Sequence, residues 1–369
     1  LFYNISRIMR RACKRNAAFF FILLSSVPAL AKKRPLNYRL RPKADAVERS
    51  TATARPEPVT LMSGRWKPEV RAALEALIAQ KGRGAPGYNV KSPPVAVLPW
   101  SDASVSGDPA ELVFLRLVTE ARFLFDDAFW EIVPIAYGRQ QTRAAYEQFI
   151  SVSSAVWTSE PTYHRYRKGM LSSYLELCRG VGRKECRSYL SRLWSGWRED
   201  EVRGYSKAVL DGEKNSSATT ELVFGELGDP APLRARRGLR LIPEMRDLAA
   251  KLRVAGFDVW VIDDLPQPVL EVSVADYRID PTRAYGVRAS TEGARLGAGV
   301  LKPVPTRGGK TEVVQSSLGR PADLAIGRDL ADCDLLSYGD GLRFVFDRDR
   351  DLVKKAGERG WLVQPSFAR

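Results

Sequence analysis

Acidic side chains follow two apolar stretches of the chain, and they are the first candidates for chemistry. Asp102 comes shortly after residues 95–98, and the neighbours Asp263 and Asp264 come directly after residues 257–262. In an open α/β sheet, ligands bind outside the carboxyl ends of the strands, so these acids stand where a site would form. Carboxylates in such a place act as a general base or bind a divalent cation. Adjacent acids in a loop are, however, more often solvated.

The elements that would position these acids can be predicted from the pattern around them. Residues 95–98 form a short apolar run between Pro94 and Pro99, which is typical of a strand buried on both faces of a parallel sheet. Helical spacing from Pro68 onward, with Gly82 beyond the end, predicts a helix ahead of this strand. A second helix is predicted over residues 242–255, where it leads into the apolar run before Asp263.

The first strand and its loop resemble the first motif of the haloacid dehalogenase (HAD) superfamily, in its secreted phosphoserine-phosphatase-like and phosphorylcholine-phosphatase-like branch. That branch has an apolar strand, then Asp-x-Asp-x-Thr, then Gly-Asp-x-x-Glu-Ala-x-Phe. The framework residues that match are Trp100, Gly107, Asp108, Glu111 and Phe114. The catalytic positions differ, since they hold Pro99 for the nucleophilic Asp, Ser101 for the acid/base Asp and Ala103 for Thr. A proline has no side-chain nucleophile, so the aspartyl-phosphate route is closed.

Later stretches continue the resemblance, which extends from Trp66 to Phe367. Asp263 stands where relatives have a Ser or Thr hydroxyl that binds the phosphoryl oxygen. Lys310 matches the lysine that neutralises the nucleophile and the phosphate in relatives. Residues 327–332 align with Gly-Asp-Ser-x-x-Asp, whose carboxylates hold Mg²⁺, but Arg328 replaces the first of these carboxylates. Asp332 and Asp329 remain as candidate metal ligands.

The resemblance implies an α/β fold class, a HAD-like Rossmannoid parallel sheet flanked by helices, with an all-α cap inserted after the first motif strand. We predict a HAD-like core from residues 61–117 and 230–369, and a helical cap from residues 118–229. The cap sequence has five aromatic-rich helical stretches, at residues 123–135, 142–157, 170–178, 186–197 and 201–210. Aromatic residues at helical spacing usually form a core, although they can also shape a substrate pocket.

These losses at the catalytic positions, on a well-kept scaffold, favour a non-catalytic pseudophosphatase. In one form of this hypothesis the pocket still binds a small anionic or phosphate-ester ligand through Lys310 and Arg328. The first motif adds Asp108 and Glu111 as ligand-binding candidates. In the other form Arg328 pairs with an acid of the same pocket, and the charges only hold the fold. The acids available to it are Asp263, Asp264 and Asp332.

Two other functions stay open. The first is a Mg²⁺-dependent phosphomonoesterase with a displaced mechanism, in which Asp102 or the pair Asp263 and Asp264 serves as base or metal ligand. The second is a cell-envelope interaction protein that uses a basic surface and the aromatic cap to contact anionic envelope components. No cofactor is expected unless the enzymatic alternative holds, in which case it would be Mg²⁺. No nucleic-acid-binding module is recognisable.

The start of the chain predicts export. Basic residues, an apolar run over residues 17–24 and a small-x-small site ending at Ala31 follow one another as in a bacterial signal peptide. We therefore predict a signal peptide over residues 1–31, with residues 1–8 as a candidate upstream extension, and a flexible arm over residues 32–60. The mature chain would be periplasmic or secreted and would not span a membrane. The formal charge of the whole chain is +15, and the mature chain remains basic.

In an oxidising compartment, the cysteines can form a disulfide. Cys178 and Cys186 are spaced so that a disulfide between them would join a helix, a turn and a second helix, although spacing alone does not establish the geometry. Cys333 is then left without a partner. His164, the single histidine, stands in no triad or metal-ligand pattern and is interpreted as incidental.

Overall fold

A computed structural model describes residues 59–368, and the predicted signal peptide and most of the predicted arm lie outside them. Short apolar runs form most of the strands. They are β1 Val95–Leu98, β2 Val105–Ser106, β3 Thr219–Val223, β4 Leu233–Arg237, β5 Arg240–Leu241, β6 Asp258–Pro266, β7 Ala284–Val287, β8 Ala289–Glu292, β9 Arg295–Val300, β10 Leu324–Gly327, β11 Leu342–Phe346 and β12 Leu362–Gln364.

The helices begin at prolines, acids or polar residues in most cases, and several end at a glycine. They are α1 Pro68–Lys81, α2 Pro109–Thr119, α3 Asp127–Ile132, α4 Arg139–Phe149, α5 Pro161–Gly180, α6 Arg183–Arg192, α7 Glu199–Lys214, α8 Pro243–Val254, α9 Gln267–Val274, α10 Gly308–Leu318, α11 Cys333–Leu336 and α12 Arg350–Arg359.

Six strands form one parallel sheet in the order β12-β11-β10-β1-β6-β7. The predicted first strand lies in the middle, with Val97 opposite Ala325 of β10 on one side and Trp260 of β6 on the other. The carboxyl ends of β10, β1 and β6 therefore meet at one edge of the sheet. That edge is where an open α/β sheet places its ligand.

Alternation along the strands divides the hydrophobic core between the two faces of the sheet. Ala96 and Leu98 of β1 belong to a cluster with α1, α2 and α8, whereas Val95 and Val97 pack with α10, α11 and α12. Helices thus cover both faces, and all four residues of β1 are buried. The predicted α/β class, a parallel sheet flanked by helices, is confirmed.

The segment between β2 and β5 contains residues 118–229, the predicted cap, and we call this segment the insertion. Its five predicted helical stretches correspond to α3 through α7, but the segment is not wholly helical, because β3 and β4 form an antiparallel hairpin. Sequence analysis did not predict this hairpin, since the arginines of β4 obscure its apolar pattern. Ion pairs fasten the hairpin to the helices, with Lys168 at 2.7 Å from Asp229 and Arg237 at 2.5 Å from Glu213.

The aromatic residues of the insertion mostly form its core. Tyr166, Tyr174 and Tyr189 are each at most 2% exposed, and the ring of Phe125 stacks on Tyr146 with 3.9 Å between centroids. A disulfide joins Cys178 of α5 to Cys186 of α6, while Cys333 is a free cysteine. In residues 59–368, no helix is both long enough and apolar enough to cross a membrane.

Candidate functional site

The loop after β1 is folded tightly around Trp100. The carbonyl oxygen of Trp100 accepts hydrogen bonds from the backbone N–H groups of Ser104 and Val105, at 2.9 and 3.1 Å. Its fully buried indole donates to Ser273 Oγ at 2.5 Å, and the carbonyl of Pro99 accepts from Ser104 Oγ at 2.6 Å. These hydrogen bonds hold the loop in one shape, although Pro99, the residue before Trp100, has no reactive side chain.

The carboxylate of Asp263 occupies the donors of this loop. Its Oδ2 accepts the backbone N–H of Trp100 at 2.7 Å and that of Ser101 at 3.2 Å, while its Oδ1 accepts the N–H of Asp264 at 2.7 Å. The predicted strand before Asp263 extends to Pro266, so both acids lie within β6 and not in a solvated loop, and both are at most 1% exposed. Two backbone N–H groups form an anion cradle, and an anion of the chain itself fills it.

Arg328 follows β10 and joins this cradle to the last motif. Its Nη1 donates to the carbonyl of Ser101 at 2.7 Å and to Asp263 Oδ2 at 3.2 Å, and its Nε donates to Asp329 Oδ2 at 3.0 Å. Arg328 is 4% exposed. A cation thus lies where the resemblance would place a metal carboxylate, and it binds Asp263, which stands where the resemblance would place a phosphate-binding hydroxyl.

Lys310 and Asp332 complete a row of buried charges. Lys310 Nζ lies 2.5 Å from Asp332 Oδ1, and both residues are 1% exposed. Asp332 Oδ2 accepts the backbone N–H groups of Arg328 and Asp329, at 2.7 and 3.3 Å. We call the four residues Lys310, Asp332, Arg328 and Asp263 the charge ladder, because cation and anion alternate along it.

The ladder and its neighbours shift each other's proton affinities. Burial alone would lower the pKa of Lys310, but the Asp332 and Asp263 carboxylates raise it, so the amine stays charged. Burial raises the pKa of Asp263, whereas Arg328 and Lys310 act in the opposite direction. Both oxygens of Asp263 accept hydrogen bonds, as those of a carboxylate do.

The residues of the site do not fit Mg²⁺, the ion that the resemblance implies. Mg²⁺ takes oxygen ligands in near-octahedral geometry. Arg328 supplies a cation in place of one ligand, Pro99 has no side-chain oxygen, and the predicted ligands Asp329 and Asp332 are engaged by cationic side chains. Among residues 59–368, no group of three or more His, Cys, Asp or Glu side chains is placed to hold a metal ion.

Two arginines from the insertion close over the site, and sequence analysis missed both. Arg187 Nη2 lies 2.5 Å from Asp108 Oδ2, and its Nε lies 3.4 Å from Asp264 Oδ1. Arg183 contacts the same carboxylate of Asp264 and reaches Asp329 at 3.4 Å. The signal was their spacing, since residues i and i+4 share one face of α6. We call these contacts the arginine clamp.

The clamp holds Asp264, the last acid of β6, in its charged form. Burial would raise the pKa of Asp264, but the Arg183 and Arg187 guanidinium groups hold it well below its usual range. Burial and the nearby Asp108 raise the pKa of Glu111, whose carboxyl accepts a hydrogen bond from the Tyr174 hydroxyl at 2.8 Å. The pKa values of Asp264 and Glu111, two carboxyl groups of one site, are thus shifted in opposite directions.

Asp108 and Asp102 also have structural partners. Asp108 is the N-cap of α2, where its Oδ1 accepts the N–H groups of Ala110 and Glu111 at 3.0 and 3.2 Å. Asp102 accepts hydrogen bonds from Arg236 at 2.7 Å, Arg348 at 3.2 Å and the N–H of Gly107 at 3.0 Å. Burial opposes the lowering of the pKa of Asp102, but these two arginines prevail.

A polar cavity of 430 Å³ lies between α6 and the loops of the sheet edge. Of the predicted ligand-binding residues, it brings Arg328, Asp108 and Glu111 together, while Lys310 is not part of its lining. The lining residues are Ser101, Asp102, Asp108, Glu111, Arg183, Arg187, Arg236, Arg328, Asp329, Arg348, Asp349 and Arg350. Six of the twelve are arginines and five are acids.

The sequence matches no family model and no curated protein. Among solved structures, the chain is similar to a conserved protein of unknown function from Anaerococcus prevotii, with 19% identity and a TM-score of 0.72 over 82% of this chain and 93% of that one. A protein of unknown function from Bordetella pertussis has 12% identity and a TM-score of 0.46, over 74% of this chain and 98% of that one.

A HAD-family hydrolase from Salmonella enterica also matches weakly, with 12% identity and a TM-score of 0.36 over 71% of this chain and 66% of that one. At these identities a likeness concerns the fold and not the activity. The similarity to the Anaerococcus protein extends over nearly the whole described part of the chain. Together with the strand order, it gives this chain the α/β architecture that the HAD resemblance implies.

Proposed function

We propose that the chain is a non-catalytic pseudophosphatase whose former phosphoryl site is filled by its own side chain. The observation that carries the proposal is the position of Asp263, whose carboxylate accepts the N–H groups of Trp100 and Ser101 and pairs with Arg328. A phosphate would have to displace this carboxylate from its donors and then lie beside its negative charge. The N–H groups that would bind the phosphate are thus already occupied by the Asp263 carboxylate.

The replaced residues support the same proposal. Pro99 offers no nucleophile, and Ser101 cannot supply the acid/base function of a carboxyl group at neutral pH. The metal position holds a buried guanidinium instead of a carboxylate. Each of these changes alone would slow a phosphatase, and together they remove every step of the route that the resemblance implies.

The displaced phosphatase mechanism finds less support. Asp102, its candidate base, is bound by two arginines and by a backbone N–H, so its lone pairs are already committed. Asp263 and Asp264 are fully buried and paired with Arg328 and with the arginine clamp. A base or metal ligand needs a carboxylate that a substrate or an ion can reach, and these three carboxylates are engaged.

The test is a phosphatase assay on the purified chain, with p-nitrophenyl phosphate and with phosphorylcholine, in the presence and absence of Mg²⁺. We expect no hydrolysis above background and no Mg²⁺-dependent change in the melting temperature. A ligand that binds only the folded chain raises that temperature by mass action, so melting reports binding without turnover. Mg²⁺-dependent hydrolysis that disappears in the Asp102→Ala variant would overturn the proposal and favour the displaced mechanism.

We also propose that the chain is exported and cleaved after Ala31. The disulfide between Cys178 and Cys186 supports an oxidising compartment. Intact-mass measurement of the mature protein checks both features, because it gives the first residue and the state of the thiols. We expect a chain that begins at Lys32 and lacks two hydrogens relative to the reduced form. A mature chain in which Ala31 is still joined to Lys32 would contradict export by this route.

A further inference from the structure

Three buried donor atoms without a partner belong to side chains that line the polar cavity. They are Ser101 Oγ, Arg187 Nη1 and Arg328 Nη2, and none of them has a hydrogen-bond partner among the described residues. Their side chains are among the most buried of the cavity, at 2%, 4% and 4% exposure for the whole residues. Buried polar groups in folded proteins are nearly always hydrogen-bonded. Three exceptions in one cavity therefore indicate a missing acceptor.

The acids of the cavity do not supply that acceptor, because other donors engage them. Asp102 binds Arg236 and Arg348, and Asp108 binds Arg187 through Nη2. The other three acids are engaged by arginine, tyrosine or backbone donors: Asp329 by Arg328 Nε, Glu111 by the Tyr174 hydroxyl, and Asp349 by the N–H groups of Leu330 and of the first turn of α12. The acceptor has to come from outside the cavity.

The replacements of the family motif explain why the cavity favours an anion. In the resembled enzymes the positions of Ser101 and Arg328 carry carboxylates that serve catalysis and bind Mg²⁺. Here one position is neutral and the other is cationic, so two negative charges are lost and one positive charge is gained. This change of charge favours an anion over a cation in the cavity.

We infer that this cavity binds a small oxyanion, a carboxylate or a phosphate, through Arg187, Arg328 and Ser101, without turning it over. The planar edge of a guanidinium group matches the oxygens of a carboxylate or a phosphate, and the serine hydroxyl can donate to a third oxygen. The volume of 430 Å³ lies in the range of small-ligand sites. The inference goes beyond the proposed function, since it needs neither a nucleophile nor a metal and leaves Asp263 in its cradle.

The bound oxyanion would also bridge two parts of the molecule. Arg187 belongs to α6 of the insertion, whereas Ser101 and Arg328 belong to loops at the edge of the central sheet. A ligand that accepts hydrogen bonds from both sides adds to the arginine clamp. Binding should therefore raise the melting temperature of the whole chain.

The experiment is isothermal titration of the purified chain with inorganic phosphate and, separately, with citrate, at low ionic strength and without Mg²⁺. Low ionic strength limits the screening of the charges. We compare the wild type with Ser101→Ala, which removes one unpartnered hydroxyl and leaves every ion pair in place. The matched control is Arg359→Gln, which removes one exposed positive charge at the end of α12. Thermal melting checks that both variants are folded.

We expect saturable binding of at least one probe, weakened about tenfold by Ser101→Ala, as for a hydrogen bond to a charged group, and unchanged by Arg359→Gln. Binding of phosphate alone identifies a phosphate ligand, and binding of citrate alone identifies a carboxylate. If neither probe binds, or if Ser101→Ala and Arg359→Gln weaken binding equally, water fills the cavity and the inference is wrong. Hydrolysis is measured in a separate assay, so this failure is distinct from a failure of the proposed function.

Discussion

The charge ladder and the arginine clamp use the same kinds of side chain in different surroundings. All four residues of the ladder lie in the core and are at most 4% exposed. In the clamp, the side chain of Arg187 is 5% exposed but that of Arg183 is 36% exposed, and both cross from the insertion to the core. Water can therefore compensate the loss of an Arg183 contact in part, whereas the pair of Lys310 and Asp332 in the ladder is shielded from water.

This difference teaches what each set of charges does. A buried pair that loses one partner leaves an uncompensated charge in a medium that solvates it poorly, although the pair itself adds little over apolar residues of the same size. The four residues of the ladder therefore depend on one another for their contribution to stability. They lie where the resemblance would place a ligand and a metal. The clamp instead fixes the insertion on the core. Four predictions test this contrast, from the largest expected effect to the smallest.

The ladder predicts the largest loss of stability. Asp332→Asn removes the charge that faces Lys310 Nζ at 2.5 Å. We expect the free energy of unfolding, measured by urea denaturation at neutral pH, to fall by about 3–5 kcal/mol. The double variant Lys310→Met/Asp332→Asn should recover most of this loss, because it removes both charges. Asp334→Asn, at an exposed acid of the same segment, is the control and should stay within about 0.5 kcal/mol of the wild type. A double variant no more stable than Asp332→Asn would show that the two charges do not act as a pair.

The clamp predicts a smaller loss that depends on pH. Asp264→Asn should cost about 2 kcal/mol at neutral pH, the scale of a hydrogen bond to a charged group, because Arg187 keeps its contact with Asp108. The pKa of Asp264 is lower in the folded chain than in the unfolded chain, so its contribution is present above the unfolded value of about 3.9. The contribution is lost as the pH falls from there through the folded value.

Urea denaturation of the wild type and Asp264→Asn at several pH values between neutral and strongly acidic conditions measures this effect. The difference between the two proteins should shrink below about pH 4, where the unfolded carboxyl group is protonated. A difference that stays constant down to the lowest pH would mean that the charge of Asp264 is not what the clamp recognises. A change in packing caused by the substitution does not depend on pH. It would appear as a difference in the free energy of unfolding that is the same at every pH.

Glu111 predicts a gain instead of a loss. Its pKa is raised in the folded chain, so the contribution of its protonated form to stability is present at low pH and is lost as the pH rises through the folded pKa. Glu111→Gln keeps a neutral group that can still accept from the Tyr174 hydroxyl. We expect a gain of less than about 1 kcal/mol at neutral pH, because the side chain is 37% exposed and solvent screens its charge.

The same denaturation assay near pH 4 provides the check for Glu111→Gln, since the variant and the wild type should there be equally stable. Asp108→Asn is the comparison with opposite sign, because it removes the partner of the buried Arg187. If Glu111→Gln destabilised the chain at neutral pH, the ion pair of Glu111 with Arg187 Nη2, at 3.7 Å, would outweigh the repulsion between Glu111 and Asp108.

Placing the nucleophile of the resembled enzymes at position 99 should have no effect on activity. Pro99→Asp supplies a carboxylate, but Ser101 still cannot act as a general acid, Asp263 still fills the cradle, and Arg328 still stands where the resemblance would place a metal ligand. General acid/base help is worth about 10²- to 10⁴-fold in rate, and a metal contributes several kcal/mol of charge stabilisation. We expect Mg²⁺-dependent hydrolysis only when Ser101→Asp, Asp263→Ser and Arg328→Asp accompany Pro99→Asp.

The measurement is p-nitrophenyl phosphate hydrolysis by the single and the fourfold variant, with Pro99→Ala as the control for the loss of proline. Melting curves establish that each variant is folded. Robust turnover by Pro99→Asp alone would show that the Asp263 carboxylate yields its place readily. The ladder would then be a loose arrangement and the contrast with the clamp would disappear.

Much of the framework follows from local pattern. The run at β1 is confirmed residue for residue, and helix α1 begins at Pro68 as predicted. The predicted end of β6 was four residues too early. Asp263 and Asp264 are typical of a loop by their residue type, and only the structure shows that each pairs with an arginine of the chain. The β3–β4 hairpin was missed for a related reason, since Glu221 and Arg237 are polar residues that pair with each other between its two strands.

The sequence by itself determined that position 99 has no reactive side chain, because no fold can give one to a proline. It also determined the strands and helices whose apolar spacing is regular. Only the tertiary structure decided that the Asp263 carboxylate reaches the N–H of Trp100, 163 residues away, and that Arg328 reaches the carbonyl of Ser101, 227 residues away. Partners of buried charges are chosen by which strand ends meet in the sheet. Local pattern carries no information about that choice, since the penalty for an unpaired charge arises only when the fold removes it from water.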